Sequence, residues 1–465
     1  MATSLHCKRS LARNSSFLCT WIRPPCKNPF LGLLSISRTA TTTTKKKRPH
    51  TFDSTSHRNR AIPVNSQFDR VAVTAANNFN ASNAYADKAI LPTRDWDKKN
   101  LIGLSLTQLQ DELKVVPGVK SYTASQIWRF LYQRGVLTID EMLNIPKEVK
   151  EVLKMKYTID YGRIVSDHVS PNDGTRKLLI GFQDLKTKVE SVFIPMNGPR
   201  GTQCISSQVG CSLACTFCHT GTQKLLRNLT AGEIVGQYMI PAKDYGDLPL
   251  LKNSQRKVNN IVFMGQGEPF YNWRNVKQAI EILTDKDGIG LPKSKITVST
   301  SGVAPGIAKL AELGGIGLAI SLHATNDRLR DEIVPINKTF PIRVLMKACA
   351  EYAEAMKSCN RDSQRITFEY VMLKDVNDSF QEARALADLL RDIPSHVNLI
   401  PFNPWPGSHY VSSPRDHIVG FSRIVESLGV PTTIRWPRGL DIMGACGQLR
   451  TSHEQKESRK IAVTL

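Results

Sequence analysis

Two hydrophobic periods follow one another along this chain. Leu106, Leu109 and Leu113 recur at the three-to-four spacing of a helix face, and the helical pattern runs from Leu104 to about Tyr157. Within it, Thr123 is the expected N-cap of a helix reaching Tyr132, with Ile127, Phe130 and Leu131 turned inward, and a third short helix is expected near Ile139 to Leu143. Residues 163–195 then read as strands. Arg176 to Phe182 and Lys188 to Pro195 are rich in β-branched and aromatic residues around a polar turn at 183–186, which predicts a hairpin. From Cys204 onward strands and helices alternate. The strand candidates are 204–207, 260–264, 295–300, 317–322, 366–372 and 397–401, and the helical stretches are 231–239, 273–283, 305–313, 342–356 and 379–390. Six such units predict an α/β fold with a parallel sheet and helices outside it.

The polar segments divide the rest. Residues 1–60 hold twelve Lys or Arg and a single acid, Asp53, and are rich in Ser and Thr, including Thr41 to Thr44. That composition reads as a disordered organelle transit peptide, plastid in preference to mitochondrion. Residues 61–97 are rich in Asn, Ala and Ser and read as a linker. The expected order continues as a helical accessory domain at 98–158, a β-hairpin extension at 159–200, the main α/β domain at 201–450 and a C-terminal tail at 451–465. The transit segment carries more than half of the formal charge of +21. The remainder is still basic enough to favour a polyanionic partner such as RNA. No apolar run is long enough to span a bilayer, the longest candidate lying around Phe30 to Ile36.

Ten cysteines occur. Cys7, Cys19 and Cys26 lie in the presumed transit segment, and the other seven are not spaced as a disulfide framework. Cys211, Cys215 and Cys218 form the compact string Cys-Ser-Leu-Ala-Cys-Thr-Phe-Cys. Three thiolates from one loop suit a four-iron cluster with one iron left open to a ligand. The competing reading is a zinc site, for which His219 is a fourth ligand by type. Cys349 and Cys359 read as small hydrophobes on or after a helix.

The loop and its surroundings resemble the radical S-adenosylmethionine (SAM) enzymes, and Cys204-Ile-Ser-Ser-Gln-Val-Gly-Cys211 through Cys218 resembles the RlmN family of RNA adenine methyltransferases. Further matching strings begin at Phe263 (FMGQGEP), Ser299 (STSG), Ile320 (ISLHA), Ile333 (IVPIN), Ile400 (IPFNP) and Ala445 (ACGQL), so the likeness runs from about Leu101 to about Arg450. It implies a partial (β/α)6 radical SAM barrel, with sites at the C-terminal strand ends. It implies a [4Fe-4S] cluster on Cys211, Cys215 and Cys218. Gly267 and Glu268 would hold the amino group of SAM, and Ser299, Ser321, Leu322, His323 and Asn403 the rest of that molecule.

The resemblance also implies a reaction. Cys446 would accept a methyl group from one SAM. A second SAM, split at the cluster, would generate the radical that activates that methyl for addition to carbon 2 of an adenine. Glu190 would take the ring proton, and Cys204 would attack the Cys446 sulfur, forming a transient disulfide that frees the product. The spacing from Glu190 to Cys204 is one residue longer than the family pattern. The implied substrate is 23S-type rRNA, with tRNA as a second candidate. The implied electron donor is a flavodoxin or ferredoxin, and the expected state is a monomer. Trp405 and Tyr410 are either base-stacking surfaces or core residues. Alternatives are methylation at carbon 8, a radical SAM maturase acting on protein, and a zinc-dependent RNA-binding protein without catalysis. The targeting expectation has a direct check: a reporter fused to residues 1–75 is expected in plastids, and a purely cytosolic signal would end that reading.

Overall fold

The computed structural model describes residues 98–182, 187–196, 198–250, 255–358 and 365–451. The expected transit segment and linker, the turn at 183–186, Cys359 and residues 452–465 of the tail lie outside the described residues.

The described chain opens with a small helical unit: α1 (Leu106–Leu113), α2 (Thr123–Arg129) and α3 (Lys147–Lys156). Ser105 caps α1 in a reciprocal box. Its hydroxyl accepts the Gln108 N–H at 3.1 Å, and the Gln108 side chain accepts the Ser105 N–H at 2.8 Å. Thr123 is not the expected cap. It is the first residue of α2, and its hydroxyl accepts the Lys120 N–H, closing the turn upstream of the helix instead. Beyond Arg129 the helix continues as a π-helical turn, Phe130–Arg134. Ile127, Phe130 and Leu131 are buried, as their spacing requires. The third expected helix is a single 3-10 turn, Ile139–Glu141.

Ten strands form one sheet whose hydrogen-bonded order is the order of the sequence. Strands β1 (Arg163–Val169), β2 (Arg176–Gly181) and β3 (Lys188–Pro195) are antiparallel, so the extension is a three-stranded meander and not a lone hairpin. β3 pairs antiparallel with β4 (Gly201–Cys204). From there the sheet is parallel through β5 (Val258–Phe263), β6 (Ile296–Thr300), β7 (Gly317–Ser321), β8 (Ile366–Met372), β9 (Ser395–Pro401) and β10 (Thr432–Ile434). The edges β1 and β10 do not pair, so the barrel is open. β4 ends at Cys204 instead of beginning there. Ile205 still donates its N–H to Val262 on β5, but the chain then leaves the ladder: the Ser206 N–H donates to Gln237 and the Ser206 hydroxyl to the Glu190 carbonyl.

Helices α4 (Ala231–Asp244), α5 (Trp273–Thr284), α6 (Ala304–Ala311), α7 (Asp327–Ile333), α8 (Ile342–Ser358), α9 (Phe380–Leu390) and α10 (Arg415–Ser427) make the parallel crossovers. α7, α10 and β10 are elements beyond those expected from the sequence. α4 starts in a capping box between Thr230 and Glu233. Its apolar residues are buried along most of its length, and two glycines permit the close approach of other backbones. A Cβ on Gly232 would lie 2.4 Å from the Ile102 carbonyl oxygen, and one on Gly236 would lie 2.0 Å from that of Tyr161. These contacts fasten the helical unit and the start of the meander to the barrel.

Alanine normally stabilises a helix interior over glycine by roughly 1 kcal/mol. At Gly236 the sign should reverse, because the new Cβ collides with a backbone carbonyl that has no room to retreat. Gly236→Ala is expected to lower the thermal midpoint; an unchanged or higher midpoint would contradict this packing.

Candidate active site

The cysteine loop follows a short ladder between Gln208–Val209 and Arg227–Asn228. Cys211, Cys215 and Cys218 all border one large cavity at the C-terminal ends of the barrel strands. The loop is tightly wound: the Cys218 N–H donates to the Cys215 carbonyl at 3.1 Å, Ala214 takes a left-handed φ of 52°, and a Cβ on Gly221 would lie 2.7 Å from the Cys215 carbonyl oxygen. Burial raises all three thiol pKa values, Cys211 to about 11, and neighbouring thiols push Cys211 and Cys215 further the same way. Bound metal would invert this, since a coordinating thiol is deprotonated outright.

The donor set is three soft sulfurs facing a shared cavity, which suits an iron–sulfur cluster. Among the described residues, no three His, Cys, Asp or Glu side chains converge as a single ion would require. His219 is not free to complete a zinc site. Its Nδ1 lies 3.3 Å from the Gln448 carbonyl, its Nε2 lies 3.1 Å from an Arg450 nitrogen, and its ring stacks on Trp405. One tautomer satisfies both contacts, with Nδ1–H donating to Gln448 and Nε2 accepting from Arg450.

The other strand-end residues form the remaining wall. Gly265 and Gly267 follow β5, and both sit where no side chain fits: Gly267 has φ of 92°, and its Cβ would lie 2.4 Å from Gln208. Glu268 is buried, and its carboxylate accepts the Phe270 N–H at 3.2 Å and the Ser301 N–H at 2.9 Å. Burial outweighs those hydrogen bonds and pushes its pKa up to about 7. Ser299 lies near the end of β6, Ser321 ends β7, and Asn403 follows β9; all three line the cavity. His323 lines it too, with φ of 62°. Its Nδ1 accepts the Val371 N–H at 3.0 Å, and burial, then the Arg330 charge, pushes its pKa down to about 3. The imidazole is therefore neutral.

Leu322 and Glu190 do not line this cavity. Leu322 is fully buried, and its backbone is engaged on both sides, the N–H donating to Glu369 and the carbonyl accepting from Arg330. Glu190 is buried on β3, on the strand face shared with the lining residues Val192 and Ile194. Its carboxylate lies 3.2 Å from the Lys177 ammonium, while Oε2 has no hydrogen-bond partner. Burial raises its pKa, and Lys177 opposes the rise.

Cys204 and Cys446 meet at the same cavity as the three loop cysteines, and both are free thiols. Cys446 lines the cavity and is exposed, whereas Cys204 is buried. Burial, then the adjacent Cys446, pushes Cys204 up to about 12. Burial pushes Cys446 up to about 11 against the opposing charge of Arg435. The segment carrying Cys446 is pinned from two sides. The Asn403 amide donates to the Cys446 carbonyl at 2.9 Å, which leaves Asn403 Oδ1 without a partner. The His219 N–H donates to the Gly447 carbonyl at 2.7 Å. Cys349 is buried on α8 and faces no cavity of this kind, as its pattern suggests.

Sequence reasoning missed two charged residues of the wall. Arg435, just beyond β10, and Glu369, on β8, both line the cavity, and Glu369 Oε2 is buried without a partner. Arg435 follows a three-residue strand too short for periodicity, and Glu369 sits in an otherwise apolar strand, where a lone acid was the available signal.

Comparison with known proteins agrees with this geometry. Residues 205–387 match the radical SAM superfamily, and residues 99–159 match the N-terminal domain of ribosomal RNA large subunit methyltransferases. A dual-specificity RNA methyltransferase RlmN of Sinorhizobium fredii is 48% identical over 79% of this chain and 91% of its own length. That of Bartonella tribocorum is 48% identical over 78% and 91%. The crystal structure of a radical SAM methyltransferase from Sphaerobacter thermophilus is 38% identical, with a TM-score of 0.70 over 76% of this chain and 99% of that one. The chain belongs to the RlmN family of radical SAM RNA methyltransferases.

Proposed function

We propose that this protein methylates carbon 2 of an adenosine in 23S-type rRNA, with tRNA as a further substrate, through a methyl group carried on Cys446. The observation that supports this most is the meeting of Cys204 and Cys446 at the cavity bordered by the cluster-type cysteines. A maturase acting on protein needs no methyl-carrying thiol, and the S. fredii and B. tribocorum relatives are named for action on RNA.

Cys211, Cys215 and Cys218 would hold a [4Fe-4S] cluster, which would supply the electron needed to split a carbon–sulfur bond of SAM. The protein's own residues arrange everything else. Glu268, with Gly267, receives the SAM ammonium, which restores the ionised carboxylate that burial disfavours. Ser299, Ser321 and His323 line the space for the rest of SAM, and the unpartnered Asn403 Oδ1 is an acceptor for an exocyclic amine. Because the Asn403 amide also holds the Cys446 carbonyl, the SAM wall and the methyl-bearing segment are tied to each other. Cys446 must lose its proton to accept a methyl group, and Arg435 is the adjacent cation that favours the thiolate.

Release needs an electron pair and a base. Glu190 would take the ring proton, and the Cys204 thiolate would form the sulfur–sulfur bond to Cys446 as the sulfur–carbon bond to the product breaks. The released carbon would take up a proton and the adduct would give up its unpaired electron; the electron donor would then supply two electrons to reduce the disulfide to thiols. A buried carboxyl with a free oxygen suits that role. The target base must leave its stack to reach so enclosed a site. An electron donor of the flavodoxin or ferredoxin type completes the proposal, and residues 1–60 would deliver the protein to plastids.

Two measurements test this reading. Nucleoside mass spectrometry on RNA treated with reconstituted protein should find 2-methyladenosine with wild type and none with Cys446→Ala at unchanged iron content. Cys204→Ala should accumulate RNA joined to protein. Free methylated product from either variant, or methylation at carbon 8, would refute the assignment. SAM affinity should rise with pH up to about 7 as Glu268 ionises, then level off. Glu268→Gln should bind SAM weakly with no such rise, and an unchanged pH profile would remove Glu268 from the ammonium site.

A further inference from the structure

Arg330, on α7, is completely buried. It has no carboxylate within ion-pair distance among the described residues, and its guanidinium is spent on neutral acceptors. Nε donates to the Leu322 carbonyl at 2.9 Å, and one terminal nitrogen to the Asn337 amide oxygen at 2.8 Å. The other terminal nitrogen donates to the Ser301 carbonyl at 2.7 Å and the Ser321 carbonyl at 3.0 Å. Asp327 and Asp331 act on its charge through space without touching it, and both accept hydrogen bonds from Asn337 Nδ2. A buried cation without a direct counter-ion is expensive, and such groups persist where an anion completes them.

The surroundings point to that anion. The carbonyls of Ser301, Ser321 and Leu322 lie at the end of β7 and in the loops after β6 and β7, where the candidate SAM-site residues lie. Ser301 also donates its N–H to Glu268. The same short helix touches the cysteine loop, since the Ile333 carbonyl at its end accepts the Thr216 N–H at 3.2 Å. Cys215 shares the cavity wall with Ser301, whose carbonyl Arg330 holds, and the residue after it, Thr216, is the one tied to the end of the Arg330 helix. α7 therefore links the cysteine loop to two strand ends through one fixed charge.

We propose that Arg330 is a positioning residue with two effects: it ties the β6 and β7 strand ends into their ligand-ready shape, and it is the built-in counter-cation of the cluster held at Cys215. The proposal rests on the cluster reading above. A three-thiolate cluster is anionic and gains further negative charge on reduction. A fixed cation beside one ligand favours the reduced form, and so places the potential higher than the same pocket would without it. Lysine keeps the charge but lacks the planar fork that reaches three carbonyls, whereas glutamine loses the charge.

Anaerobically reconstituted wild type, Arg330→Lys and Arg330→Gln separate the two effects. The readouts are iron per chain, the cluster midpoint potential without SAM by EPR-monitored titration, and SAM affinity by calorimetry. Wild type that takes up no four-iron cluster refutes the cluster reading itself, independently of Arg330. Given a wild-type cluster, Arg330→Gln should have a more negative potential and bind SAM about tenfold or more weakly, as loss of a charge-assisted hydrogen bond implies. Arg330→Lys should hold its potential near wild type while SAM binding weakens. A wild-type potential in Arg330→Gln overturns the counter-cation role, and wild-type SAM affinity in Arg330→Lys overturns the tie. Should Arg330→Gln not fold, Arg330→Met, which also removes the charge, takes its place: a more negative potential supports the counter-cation role and a wild-type potential overturns it.

Discussion

The Thr220 hydroxyl donates to the Leu449 carbonyl at 2.6 Å across 229 residues of sequence. Beside it, the His219 N–H holds the Gly447 carbonyl, Gln448 reaches the Pro404 carbonyl, and Asn403 reaches that of Cys446. This ladder closes the longest loop in the site. The barrel is open, because its edge strands β1 and β10 do not pair, so no sheet hydrogen bond brings the C-terminal segment home. The segment is instead fixed to the cysteine loop and to the end of β9. It is also fixed to the meander, where Asp173 accepts the Gly439 N–H and Lys177 donates to the Met443 carbonyl. Without these bonds Cys446 would have no defined position relative to Cys204.

Burial then sets the electrical state of the site. The cysteine thiols are raised, Glu268 sits at about 7 and His323 is neutral, all with desolvation as the leading cause. The resting cavity thus holds mostly uncharged donors and acceptors, and ligands bring the opposite charges that ionise them. Arg435 in its wall, and Arg330 buried behind the β6 and β7 strand ends, are the fixed exceptions. In a medium of low effective dielectric, each influences its neighbours more strongly than a surface arginine could.

The apolar periods carried the architecture well because each one reports a local fact, namely which face of an element is shielded from water. Six of the seven parallel strands and five of the helices follow from them. Failures occurred where local signals compete. Thr123 has the chemistry of a helix cap but serves the turn before it. β4 lies a few residues upstream of its expected place, because Ser206 and Ser207 spend their polar groups outside the ladder. β10 has only three residues, too few for a period. α10 has a regular Ile418, Phe421 and Val425 stripe, but it follows a Pro-rich, Gly-containing string that reads as loop.

The sequence alone determined the α/β alternation and the three-thiol donor set, since spacing within one loop is a property of the covalent chain. It could place Cys204 and Cys446 on their elements, but not together. Arg330 looks in sequence like any charged residue of a polar segment, Glu369 like an isolated charge on a strand, and Arg435 like one in a connection. Only the tertiary structure decided that these groups share one desolvated space. Their proximity is set by the path of the chain around an open sheet, and that path depends on packing and hydrogen bonds between residues hundreds of positions apart.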